Sequence, residues 1–115
     1  ADAFVPKLLG ETTKREQPDL SDAVRRLIEL NTAEAIAAAA LALKTRPDSG
    51  PDLPSIDVPT TIICGEEDVL TPPSESEALH AAIAGSRLVL LPRAGHLSNL
   101  EAAPAFSAAL ARALE

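Results

Sequence analysis

Two short aliphatic runs, Thr60-Thr61-Ile62-Ile63-Cys64 and Leu88-Val89-Leu90-Leu91, constrain this chain more than any other feature. Each is too short for a stable helix and rich in side chains that suit a pleated, buried ladder. Neither alternates apolar with polar, so both faces of each run demand cover, as in the strands of a parallel sheet. Between them, Pro72 to Ala84 carries Ala78, Leu79, Ala82 and Ile83 at helical spacing and is followed by Gly85, suited to the C′ position. Strand, helix, strand is the order that sets two parallel strands side by side through a right-handed crossover. Pro104 then opens a last helix with Phe106, Leu110 and Leu114 facing inward. The expected class is α/β.

The first part of the chain carries only helical signals. Leu20, Val24, Leu27 and Ile28 form one apolar stripe, with Asp19 or Ser21 as the N-cap. A second helix is expected after Thr32, with Ile36, Ala40 and Leu43 on one face and Lys44 and Arg46 at its carboxyl end, where positive charge suits the helix dipole. Pro47 ends it. Asp48 to Pro59 holds Pro51, Pro54 and Pro59 with Ser, Gly and Asp, and reads as a connector anchored by Leu53 and Ile56. The expected division is a helical segment over 1–46 and a strand-helix-strand-helix unit over 47–115.

Composition narrows the partners. Aromatic residues make up 2% of the 115 residues, which leaves no stacking platform for nucleic-acid bases. A net charge of -7 with scattered Lys and Arg repels phosphate backbones and anionic lipids, so neither nucleic acid nor membrane is an expected partner. No apolar run approaches the roughly 20 residues of a membrane span. One cysteine, Cys64, excludes an internal disulfide and a cysteine-based metal site. Nothing at the N-terminus resembles a signal peptide, which sets a cytoplasmic location as the expectation.

In an open parallel sheet, function collects beyond the carboxyl ends of the strands. Asp68 follows the first run and His96 the second, 28 positions later, so one crossover brings both loops to the same edge. A carboxylate there can hold one imidazole nitrogen and leave the other to take a proton. Taken singly, Asp68 also fits a turn former after a strand and His96 a loop histidine. His80 reads as a surface histidine, Cys64 as an inert packing residue, and Ser98 as a local loop hydroxyl.

These two loops resemble a known family. Gly65-Glu66-Glu67-Asp68-Val69-Leu70-Thr71-Pro72-Pro73 is similar to the catalytic-acid loop of α/β-hydrolase-fold enzymes. Pro92-Arg93-Ala94-Gly95-His96-Leu97-Ser98-Asn99-Leu100-Glu101 is similar to their catalytic-histidine loop, and Pro104 and Phe106 follow as in that family. Arg46-Pro47-Asp48-Ser49 and Ile56-Asp57-Val58-Pro59-Thr60 resemble the junction between the helical cap and the core. The nearest resemblance is to the branch of 3-oxoadipate enol-lactonases, which hydrolyse small lactones and esters.

The resemblance implies a partial α/β-hydrolase fold: two parallel core strands with flanking helices, preceded by cap-like helices. It implies Asp68 as triad acid and His96 as general base, with Val69, Leu70 and Leu97 lining a substrate pocket. It implies a small acyl ester or lactone as substrate and no metal or organic cofactor. The family also needs a Gly-x-Ser-x-Gly nucleophile elbow, and no such pentapeptide occurs here. The oxyanion-hole loop of the early sheet is missing as well. The chain therefore reads as the C-terminal part of a serine hydrolase, inactive alone. The alternative is a stand-alone, non-catalytic structural or interaction protein that self-associates. A two-stranded sheet has two open edges. The expected partner is accordingly a second copy in a homo-oligomer, or a complementing N-terminal part.

Overall fold

The computed structural model, which describes residues 2–115, joins its two strands as expected. β1 (Thr61–Gly65) and β2 (Arg87–Leu91) pair in parallel, with Thr61 opposite Arg87 and Gly65 opposite Leu91. Both strands sit one residue from the expected limits, because the ladder starts at Thr61 and takes in Gly65 at one end and Arg87 at the other. A helix labelled α5 (Pro73–Ala82) crosses from one strand to the next and packs on both. α6 (Ser98–Glu101) is one turn, and α7 (Ala103–Ala113), with Pro104 in its first turn, also lies against both strands.

Several details differ from the sequence expectation. Gly85 is not the C′ residue of α5. The helix stops at Ala82, Ile83 turns extended, and Gly85 takes its positive φ of 73° in the turn that feeds β2. On α5 the buried positions are Ser76 and, just past the helix, Ile83, while Ala78 and Leu79 are exposed. On α7 the inward face is Phe106, Ala109 and Ala113, whereas Leu110 and Leu114 face out. A small residue at Ala109 lets the helix approach the strands closely, and the larger leucines fall on the next stripe round. The strands themselves are only half-buried at Ile62, Ile63, Leu88, Val89 and Leu90; Cys64, Gly65 and Leu91, at the carboxyl ends, are buried. Sequence that belongs in the middle of a sheet here has neighbours on one side only.

The N-terminal helices are α1 (Val5–Leu8), α2 (Glu11–Glu16), α3 (Pro18–Glu29) and α4 (Ala33–Thr45). Neither Asp19 nor Ser21 caps α3. Pro18 has the fixed φ of a first-turn residue and starts the helix earlier, behind Gln17, which leaves Asp19 in the first turn where its charge suits the dipole. Val5, Leu9 and Val24 form a buried cluster, extended by Leu8, Leu20, Ile28 and Leu97. Leu27 lies outside it, exposed. Thr32 caps α4 as the sequence suggests, its hydroxyl accepting from the Ala35 N–H. No residue of α4 is buried, and Ile36, Leu41 and Leu43 stand open. Among the described residues, no helix is long and apolar enough to cross a membrane.

Candidate functional site

Both candidate loops leave the sheet at its carboxyl edge, where Gly65 and Leu91 are register partners. The Glu66 N–H donates to Leu91 O (3.0 Å) and the Glu67 N–H to Ala94 O (2.8 Å), so the loops are laced together beyond the ladder. The lacing needs a glycine at the strand end: a Cβ on Gly65 would lie 2.2 Å from Ala94 O and 2.3 Å from Gly95 O. Ala94 is fully buried, which closes the loop's retreat. The second loop turns on Arg93, a non-glycine residue with φ of 57°, a left-handed conformation that costs about 1–2 kcal/mol.

This lacing brings Asp68 and His96 together. His96 Nδ1 lies 2.9 Å from Asp68 Oδ2. Asp68 is buried, at 6% exposure, and its Oδ1 accepts from the N–H groups of Leu70 (2.9 Å) and Thr71 (3.0 Å). The Thr71 hydroxyl donates to Oδ2 at 2.8 Å and stands 3.2 Å from His96 Nδ1. Burial alone would raise the Asp68 carboxyl. The Thr71 and Leu70 amides, the His96 ring and the Thr71 hydroxyl outweigh it and hold the group below the usual carboxylate range. An ionised Asp68 only accepts, so the proton shared with the ring sits on Nδ1. Nε2 has no hydrogen-bond partner among the described residues, and the ring is partly open to solvent. Such an imidazole, oriented on one nitrogen and free on the other, is equipped to take up and return a proton.

A second layer of contacts holds the loops from below. Leu8 O, at the end of α1, accepts from the N–H of His96 (3.1 Å) and of Leu97 (3.3 Å). Glu67 reaches the start of α2, accepting from the Thr12 N–H (2.8 Å) and hydroxyl (2.6 Å). The Thr12 hydroxyl is the largest reason the Glu67 carboxyl lies below its ordinary value. Glu101 turns back from α6 toward Gly10, Gly95 and Leu97. Sequence reasoning assigned no role to Thr71, Glu67 or Glu101. The Asp-x-x-Thr spacing of a side-chain-capped turn pointed to Thr71. Nothing in the sequence pointed to the Glu67 contact with Thr12, 55 positions away, or to the Glu101 contact with Gly10, 91 positions away; only the Gly95 and Leu97 partners of Glu101 are local.

The three candidate pocket residues separate. Val69 is 65% exposed. Leu70 lines a cleft of about 860 Å³ bounded by Leu43, Arg46, Leu53, Thr71 and Leu79. Leu97 is half-buried against the Val5–Leu9–Val24 cluster. The cleft lining includes neither Asp68 nor His96 but does include Leu70 and Thr71, which hydrogen-bond to the pair, so the cleft lies beside the pair rather than over it. Among the described residues, no group of three or more His, Cys, Asp or Glu side chains is arranged to hold a metal ion.

Comparison with known proteins fits this geometry. The profile of the alpha/beta hydrolase family matches residues 2–110. The chain belongs to the alpha/beta hydrolase family. A pimeloyl-[acyl-carrier protein] methyl ester esterase of Neisseria meningitidis is 42% identical over 69 residues, covering 60% of this chain and 27% of that protein. Among solved structures, a thermophilic esterase from Thermogutta terrifontis superposes with a TM-score of 0.94 at 35% identity, over 98% of this chain and 42% of that one. The enol-lactonase from Burkholderia xenovorans gives 0.89 at 31%, over 98% and 43%. This alpha/beta hydrolase chain therefore spans about two fifths of its solved relatives' length, and its two-stranded sheet is part of the family's fold.

Proposed function

We propose that this chain is the C-terminal part of a serine hydrolase and supplies the acid and the base of its triad. The observation that carries the reading is the 2.9 Å contact between Asp68 Oδ2 and His96 Nδ1, made at the carboxyl ends of two parallel strands. In the complete enzyme His96 Nε2 takes the proton of a serine hydroxyl as it attacks an ester or lactone carbonyl. It then returns the proton to the leaving alkoxide. A water deprotonated by the same nitrogen releases the acid product. Asp68 stays ionised throughout, fixing the tautomer and stabilising the imidazolium. Esterase and enol-lactonase relatives support small acyl esters or lactones as the substrate class.

In this reading residues 1–46 form cap helices and 47–115 the end of the core. The missing part of the fold covers the half-exposed strands and the open apolar residues of α4. Those same surfaces also favour a second reading, a self-associating homo-oligomer in which a copy of the chain hides them.

A fluorophosphonate probe tests the proposal. The expected outcome is no label on this chain alone. When the N-terminal part of a related esterase is co-refolded with it, the label appears on that added part and is lost with His96→Ala. Label on a serine of this chain itself overturns the reading.

A further inference from the structure

We propose that Glu101 is the positioning residue of the His96 loop, its buried carboxylate gripping the amides on both sides of the histidine and tying them to the N-terminal helices. Glu101 is 7% exposed. Its Oε2 accepts from the N–H of Gly95 (2.9 Å) and of Gly10 (2.8 Å), and its Oε1 from the N–H of Leu97 (3.0 Å). No Lys or Arg of the described residues forms an ion pair with it. A buried carboxylate without a cation is costly unless N–H donors replace its water. Here three backbone donors do so, from two segments far apart in sequence.

Two of those donors, Gly95 and Leu97, lie in the loop between strand and helix, on either side of His96. The chain leaves β2 at Leu91 and re-enters regular structure only at Ser98. Within that gap three consecutive N–H groups are all held: Gly95 by Glu101 Oε2, His96 by Leu8 O, and Leu97 by Glu101 Oε1 together with Leu8 O. The carboxylate thus grips the residue before and the residue after His96. Those two points hold the backbone from which the His96 ring reaches Asp68. Gly10, sharing Oε2 with Gly95, brings the same N-terminal segment that supplies Leu8 O into the grip. The Gln17 side-chain amide donates to the Glu101 backbone carbonyl at 3.2 Å, not to the carboxylate.

A glutamine cannot reproduce this arrangement. It has one acceptor oxygen, so its NH₂ must face either Leu97 N–H or the Gly10 and Gly95 pair, donor against donor. The consequence for hydrolysis rests on the reading of His96 as base, but the geometry itself can be read without turnover.

The test is nitrogen NMR of the His96 ring in the full chain, at an alkaline pH where Asp68 is ionised and the imidazole is neutral. The parent is expected to show one fixed tautomer, a protonated Nδ1 and a bare Nε2. In Glu101→Gln this pattern collapses toward the tautomer-averaged signature and the His96 amide loses protection from hydrogen exchange. Glu101→Asp keeps the charge and falls short by about one C–C bond, ~1.5 Å. It is the variant to use if the glutamine variant does not fold, and the same collapse is expected. Gln17→Leu, which leaves the carboxylate in place, keeps the parent pattern. A folded Glu101→Gln or Glu101→Asp chain with the parent's ring signature overturns the proposal, even with a lowered unfolding midpoint, because Glu101 would then be structural only. Failure of the hydrolase reading would leave this ring measurement unchanged, so the two failures are distinguishable.

Discussion

Gly65→Ala should be among the most damaging small changes available in this chain, although it adds a single methyl group. The new Cβ would start 2.2 Å from Ala94 O, 2.3 Å from Gly95 O and 2.7 Å from Ala94 C, all backbone atoms. Ordinary contact requires the 94–95 segment to retreat by about 1 Å, and a gap of that size already forfeits a large part of the packing energy around it. Overpacking of this kind costs about 1–3 kcal/mol. The retreat also breaks the Glu67 N–H to Ala94 O bond, 2.8 Å in the native loop, for about 1 kcal/mol more. The expected loss is therefore about 2–4 kcal/mol, or a fall of about 1–2 M in urea midpoint at the usual slope for small proteins.

Gly85 supplies the contrast. It has a positive φ of 73° and nothing within 4 Å of a built Cβ. Gly85→Ala meets backbone strain of about 1–2 kcal/mol, partly offset by about 0.4–1 kcal/mol from a less flexible unfolded chain. Urea denaturation of both variants, at one fixed protein concentration so that self-association does not shift the comparison, checks the argument. A Gly65→Ala midpoint equal to or above that of Gly85→Ala refutes the claim that the two loops are laced without spare room.

Two further outcomes follow from named groups. Thr13 is fully buried and its hydroxyl has no partner among the described residues, so Thr13→Val should raise stability by about 1 kcal/mol in the same assay. Asp68 has its folded pKa depressed, so the unfolded chain binds the proton more readily and the group's contribution is present above its unfolded value, about 3.9, and lost as pH falls through the depressed folded value. The stability difference between the parent and Asp68→Asn should accordingly shrink between about pH 7 and about pH 3. A difference that grows on acidification contradicts the assignment.

The strand pair was legible because Ile62-Ile63 and Leu88-Val89-Leu90-Leu91 are continuous apolar runs at crossover spacing, and those runs placed Asp68 and His96 at one edge. Helix faces were less legible. Leu110 and Leu114 look like core residues, but Ala109 takes the buried position because close helix–strand packing selects size as well as polarity. Ile36 and Leu43 of α4, expected on one apolar face, stand exposed, and no residue of that helix is buried. The supports of the site were least legible of all. Glu101 and Glu67 act on Gly10 and Thr12 through contacts that only the folded chain brings together. Thr71 is the exception, since a threonine three residues after an aspartate closes a local turn.

Ester turnover by the completed enzyme tests the central claim most directly. This chain is joined to the N-terminal part of a related esterase that carries the nucleophilic serine, and hydrolysis of a chromogenic short-chain ester is measured. The account predicts saturable hydrolysis that falls about ten-thousand-fold with His96→Ala and by a similar order with Asp68→Asn. Hydrolysis that proceeds undiminished in a folded His96→Ala protein would contradict it.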